Sequence, residues 1–148
     1  MSVWTHVAGV IRVDDIRFDN YLPNFDKIVG KECLFESSEN TWRDIQNNPN
    51  DYMPYGSEGT LQKSVWIDPD KSSMAAYTIS VFGDLRDYEE PQPIIDWFIK
   101  VCDRFEWIRQ AVITVETEGQ ETLNYVYKNN NWKKYILSID IWKQVWYN

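Results

Sequence analysis

At 148 residues, 43% hydrophobic and with eight Trp, nine Tyr and six Phe, the chain has the length and apolar content of one packed domain, which excludes wholesale disorder. Its formal charge of −8 repels a phosphate backbone at long range, so duplex nucleic acid is not an expected partner. Cys33 and Cys102 give neither a disulfide framework nor a zinc pattern, and no leader or apolar run of ~20 residues is visible, so the expectation is a soluble cytoplasmic protein with no membrane span and no cofactor.

Residues 3–13 (VWTHVAGVIRV) alternate in period two. Val3, Thr5, Val7, Gly9, Ile11 and Val13 form the cleaner apolar face of a strand, and Gly9 marks a bulge or a close approach by another group. Residues 14–20 read as a turn. Residues 21–29 (YLPNFDKIV) predict a short helix with Pro23 in its first turn and Gly30 beyond its end. Residues 31–59 are irregular, with one or two helical turns at 41–46; a connection this long is usually functional or mobile, which draws attention to Trp42, Tyr52 and Tyr55.

Residues 60–67 and 74–82 are strand patterns around an Asp68-Pro69-Asp70 turn, and so predict a hairpin. Gly83 to Glu90 then reads as a charged loop. Residues 91–105 place Ile94, Trp97, Phe98, Val101, Cys102 and Phe105 on one helical stripe, which has to lie on a sheet. Residues 107–117 alternate again. Residues 122–128 and 132–137 flank Asn129-Asn130-Asn131, a second hairpin, because asparagine tolerates positive φ. Residues 139–147 are a tail with apolar groups at helical spacing.

The element order predicts a single α+β domain over 1–148: a ferredoxin-like split β-α-β fold, with both helices on one face of an antiparallel sheet. A long insertion at 31–59 follows the first helix, and a C-terminal hairpin and tail occupy 119–148. The other sheet face would be open, carrying His6, Arg12, Gln62, Ser64, Trp66, Thr78, Ser80, Gln110 and Thr114 by period-two spacing.

No catalytic motif with specific spacing is present. His6 is the single histidine, so a His-based metal cage cannot form within one chain, and no metal site is expected. Asp84, Asp87, Glu89 and Glu90 cluster ahead of Pro91, where helix capping and solvation account for them better than a cation does. The C-terminal thirty residues carry a balance of +2 against −10 for residues 1–118, and interleave lysines with aromatic rings that can stack a base or pack on the sheet.

Two stretches, VWTHVAGVIRVD (3–14) and MPYGSEGTLQKSVWIDPDKSSMAAYTISVFGDLRDY (53–88), resemble small accessory proteins carried by bacterial phages and prophages. The resemblance implies a binding role in a bacterial host, counter-defence being one such role, and assigns no site residues.

Three functions are thus set against one another. The first is a non-catalytic protein that sequesters a small nucleotide-like ligand, with Trp42, Tyr52, Tyr55, Trp66 and Trp132 stacking and Arg12, Arg86 and Lys134 holding phosphate. The second is an acidic protein-interaction module that inhibits a host protein or assembles as a homo-oligomer through the open face at His6, Ser64, Thr78 and Ser80. The third is an enzyme using His6 as a general base.

Overall fold

The structure is a computed structural model that describes residues 2–14, 23–33, 39–68, 77–88 and 90–137. Most of the turn at 14–20, Pro69 and Asp70 of the Asp-Pro-Asp turn, Glu89 and the tail at 139–147 lie outside the described residues. In chain order the elements are β1 (Trp4–Val13), α1 (Phe25–Ile28), α2 (Glu39–Asn47), a 3-10 turn (Pro49–Asp51), β2 (Gln62–Ile67), β3 (Tyr77–Arg86), α3 (Gln92–Asp103), β4 (Ile108–Thr117), β5 (Thr122–Lys128) and β6 (Asn131–Leu137). The strands form one antiparallel sheet in the order β2-β3-β1-β4-β5-β6.

This corrects the expected ferredoxin-like split β-α-β fold. Among the described residues the molecule is mostly a six-stranded antiparallel sheet with three short helices. The helix expected over 21–29 is a single turn, Phe25–Ile28, with no fully buried residue. Asn24 caps it by accepting from the Lys27 amide, and Gly30, at φ +120°, turns the chain away two residues past its end. So short a helix cannot form the layer that the split β-α-β fold requires. The second hairpin extends the sheet instead, and Asn129 and Asn130 supply the two positive φ values its tight turn needs.

Odd-numbered side chains of β1, β3 and β4 face the core. Val7, Ile11, Val13, Tyr77, Ile79, Val81, Leu85, Ala111, Ile113 and Val115 are buried there. They meet Ile94, Ile95, Phe98, Val101 and Cys102 of α3, so the apolar stripe read from the sequence lies on the sheet. Gly9 marks a close approach rather than a bulge: a Cβ there would lie 3.1 Å from Phe98 Cε2 and 3.0 Å from Val81 Cγ2. The one register shift of β1 against β4 falls between Arg12 and Val13.

The connection 31–59 is built into the core rather than laid over it. Cys33, Ile45 and Met53 are buried, and Lys31 pairs with Tyr52 in a short parallel bridge. Burial holds the Cys33 thiol above its ordinary pKa and does so more strongly for Cys102. The Phe25 ring meets Tyr77 edge-on at 5.3 Å, and the Arg104 guanidinium donates to the Ile28 carbonyl.

β3 also runs further than its sequence suggests. Gly83 and Asp84 read as the start of a loop, yet pairing with β1 continues to Trp4↔Arg86. The backbone of Thr60 crowds Gly83 so closely that a Cβ would lie 2.7 Å from its carbonyl oxygen. Glycine there permits another segment to pack against a strand that continues.

Candidate functional site: the open face of the sheet

The side of the sheet away from α3 is a ruled surface whose rows follow from strand register. One row reads Asp84–His6–Glu116 across β3, β1 and β4. The next is Gln62–Phe82–Ala8–Thr114–Asn124–Tyr135, running from one edge strand to the other. A third is Ser64–Ser80–Val10–Val112–Val126–Lys133, and a fourth is Trp66–Thr78–Arg12–Gln110. Directly opposed side chains in such rows stand ~5 Å apart, so each row is a continuous contact line.

Valines and an alanine fill the centre of this face, and large rings stand toward its edges. Trp66 is 51% exposed, Phe82 43% and Tyr135 51%. A water-facing strand position in a sheet covered on one side ordinarily carries a polar residue, so this concentration of rings and aliphatic groups departs from the pattern.

His6 sits at one end of the face. Its Nδ1–H donates to Asp84 Oδ1 at 2.6 Å, and its Nε2 lies 3.8 Å from Glu118 Oε1. The Asp84 bond fixes the tautomer and leaves Nε2 as the group able to take a proton. A general base would need an attacking hydroxyl or water there; here Nε2 faces the Glu118 carboxylate. Each of these side chains is about half exposed or more, so the pairs contribute at most ~1 kcal/mol apiece. Among the described residues no group of three or more His, Cys, Asp or Glu side chains is placed to hold a metal ion.

The residues expected on the open face, His6, Ser64, Thr78 and Ser80, share it. Those expected to bind a nucleotide-like ligand do not converge. Trp66 and Arg12 lie in the same row of the open face. Tyr52 lies in the connection 31–59, where its hydroxyl donates to Asp44 Oδ2 and its ring takes the Lys31 ammonium at 5.8 Å. That bond, with burial, pushes the Tyr52 phenol up to about 12, while the same bond and one from Asn48 hold the Asp44 carboxyl down. Tyr55 forms an isolated bridge with Thr60. Arg86, at the end of β3, is held by Glu58 at 2.6 Å and by Ser2 Oγ. Trp132 packs edge-on against Phe98 and Tyr127 on the helix-bearing side, and the Lys134 ammonium lies 5.9 Å from the Tyr125 ring. Trp42 belongs to α2, and its side chain lies outside what is described.

Sequence reasoning missed Asp84, Glu116 and Glu118 as the surroundings of His6, and Phe82 and Tyr135 as exposed rings. The signal was present in part: 77–86 keeps its period of two straight through the glycine, with Phe82 and Asp84 on one side and Val81 and Leu85 on the other. Asp84 belongs to β3 rather than to a charged loop ahead of α3.

Comparison with protein-family models, with curated proteins and with solved structures finds no match. Among the described residues no helix is long and apolar enough to cross a membrane.

Proposed function

We propose that this chain is a non-catalytic binding protein that makes protein–protein contacts through the open face of its sheet. The observation that carries the reading is the apolar strip Ala8, Val10, Val112 and Val126 flanked by the exposed rings of Trp66, Phe82 and Tyr135. Exposed apolar surface of this extent, rimmed by charge, is what protein interfaces bury. A nucleotide-like ligand is less well supported, because Trp66 and Arg12 lie on the open face while Trp132 packs on the helix-bearing side and Arg86 is held by Glu58 at the end of β3. An enzymatic role for His6 is also less well supported, since a carboxylate occupies the place where a nucleophile would stand. The likeness to phage-carried proteins fits a bacterial protein as the target.

The test is capture from bacterial lysate on immobilised protein at low salt, wild type beside Phe82→Glu and Trp66→Glu. Each variant buries a charge in the contact and should release what the wild type retains. Equal retention of a partner by all three, with the wild type monomeric on sedimentation, would remove the open face from the reading. A panel of cyclic and linear nucleotides titrated calorimetrically covers the ligand alternative, and heat from any of them would overturn the proposal.

A further inference from the structure

We infer that a second copy of this chain covers the open face, sheet against sheet. The inference rests on the reading of that face as a protein-contact surface and names the partner.

α3 and the described part of the connection 31–59 cover one face of the sheet, and among the described residues nothing covers the other, which carries apolar groups where a solvated face would carry polar ones. Two such sheets pack face to face ~10 Å apart with interdigitated side chains, as in a sandwich. Six strands spaced ~4.8 Å apart and seven residues rising ~3.3 Å each give a face of about 700 Å². That approaches the ~800 Å² per partner of a standard specific interface.

Charge then selects the orientation. Asp84, Glu116 and Glu118 stand at the His6 end of the face. Lys133 lies in the third row and Lys128 ends β5 at the opposite end, and both are exposed. Arg12 and Asp68, also toward that opposite end, cancel in formal charge. A two-fold axis running along the strands would stack the acidic row on itself, and like charges so opposed repel. An axis running across the strands lays each strand antiparallel over its own copy. It brings the acidic row of one chain over the Thr78–Arg12–Gln110 row of the other, with Lys128 of the partner subunit one strand to the side of Glu116, and sets the Tyr135 ring over Lys133 of the partner subunit, a cation–π pair. The surface is thus complementary to itself in the second of these orientations and not in the first, which is what an isologous dimer requires.

The test is sedimentation of the full chain over a concentration series, with an Ala8→Cys variant labelled by a maleimide; the two native thiols are buried. The expected result is a dimer in which the Ala8→Cys thiol is protected. Reversing one end with Lys128→Glu should weaken the dimer about ten-fold or more, and reversing the acid beside it in the same chain, with Glu116→Lys, should restore it. A monomer at every concentration with a reactive Ala8→Cys overturns the inference. So does a monomer with Ala8→Cys protected, which would place a segment of the same chain on the face, and so does a dimer that leaves Ala8→Cys reactive. If the monomer still loses its lysate partner on Phe82→Glu, only the second copy is removed and the binding reading stands; if neither contact exists, both fall.

Discussion

The Tyr52 hydroxyl and the Asp44 carboxylate form one side-chain pair with two pH limits. The phenol titrates at about 12 in the folded chain against ~10 when unfolded, so its contribution is complete below pH ~10 and is lost as pH rises through about 12. The Asp44 carboxyl is held below its usual range, so its contribution is present above pH ~4 and is lost as pH falls through the lower folded value. Urea midpoints of wild type and Tyr52→Phe should therefore draw together as pH rises from ~10 through about 12 and stay apart at neutral pH. Gly9 makes a second prediction at this scale. A methyl group there would press on Val81, Phe98 and Ile113 at once, at 3.0 to 3.3 Å. Alanine would gain back some chain entropy, worth ~0.5–1 kcal/mol, but crowding on three sides costs ~1–3 kcal/mol. Gly9→Ala should lower the stability measured by urea unfolding, and a rise would show that Phe98 can shift aside.

At the scale of elements, α3 is the one helix that forms a layer, and Phe98 is its anchor. It is fully buried between Gly9 of β1 and Trp132 of β6. Phe98→Ala should cost ~3–5 kcal/mol in urea unfolding, and Trp97→Ala clearly less, because Trp97 is only partly buried. The sequence was most readable where one periodicity ran unbroken, as in the stripe of α3 and the alternation of β1 and β4. It misled where a strand met glycine and charge together. β3 passes through Gly83 and Asp84 because the glycine admits Thr60 and the aspartate points to the open side, where His6 receives it. α1 failed as a helix for a different reason: apolar residues at 25, 28 and 29 satisfy helical spacing over a single turn, and burial of Val29 and Phe25 does not require more. Of the candidate site, the grouping of His6, Ser64, Thr78 and Ser80 was legible, because register alone decides which side of a sheet a residue occupies. The nucleotide-binding set was not, because shared ring chemistry says nothing about shared location. Trp132 and Trp66 are alike in type and lie on opposite sides of the sheet.

For the whole molecule, a formal charge of −8 opposes any acidic partner at long range, a second copy included. The inferred dimer therefore depends on local pairing overcoming net repulsion. Moderate salt should tighten it by screening the distant charges first, since the close pairs in a contact are shielded from solvent. Sedimentation at rising ionic strength checks this: association should pass through a maximum, and a monotonic loss would mean that the end-to-end charge pairs carry most of the attachment.

The central position of β1 constrains how the chain acquires its structure. Its neighbours β3 and β4 begin 64 and 95 residues beyond Val13, and Thr5 alone reaches across separations of 83 and 112 residues to Tyr88 and Thr117. During synthesis this strand emerges long before anything it can pair with. A native state dominated by such distant pairings is reached slowly, on the millisecond-to-second scale, because loop closure is spent before contacts repay it. Stopped-flow refolding should show that slow phase, and Thr5→Val, which breaks a distant tie while leaving local strand preference intact, should change the unfolding rate more than the refolding rate if the ends of β1 are the last part to zip.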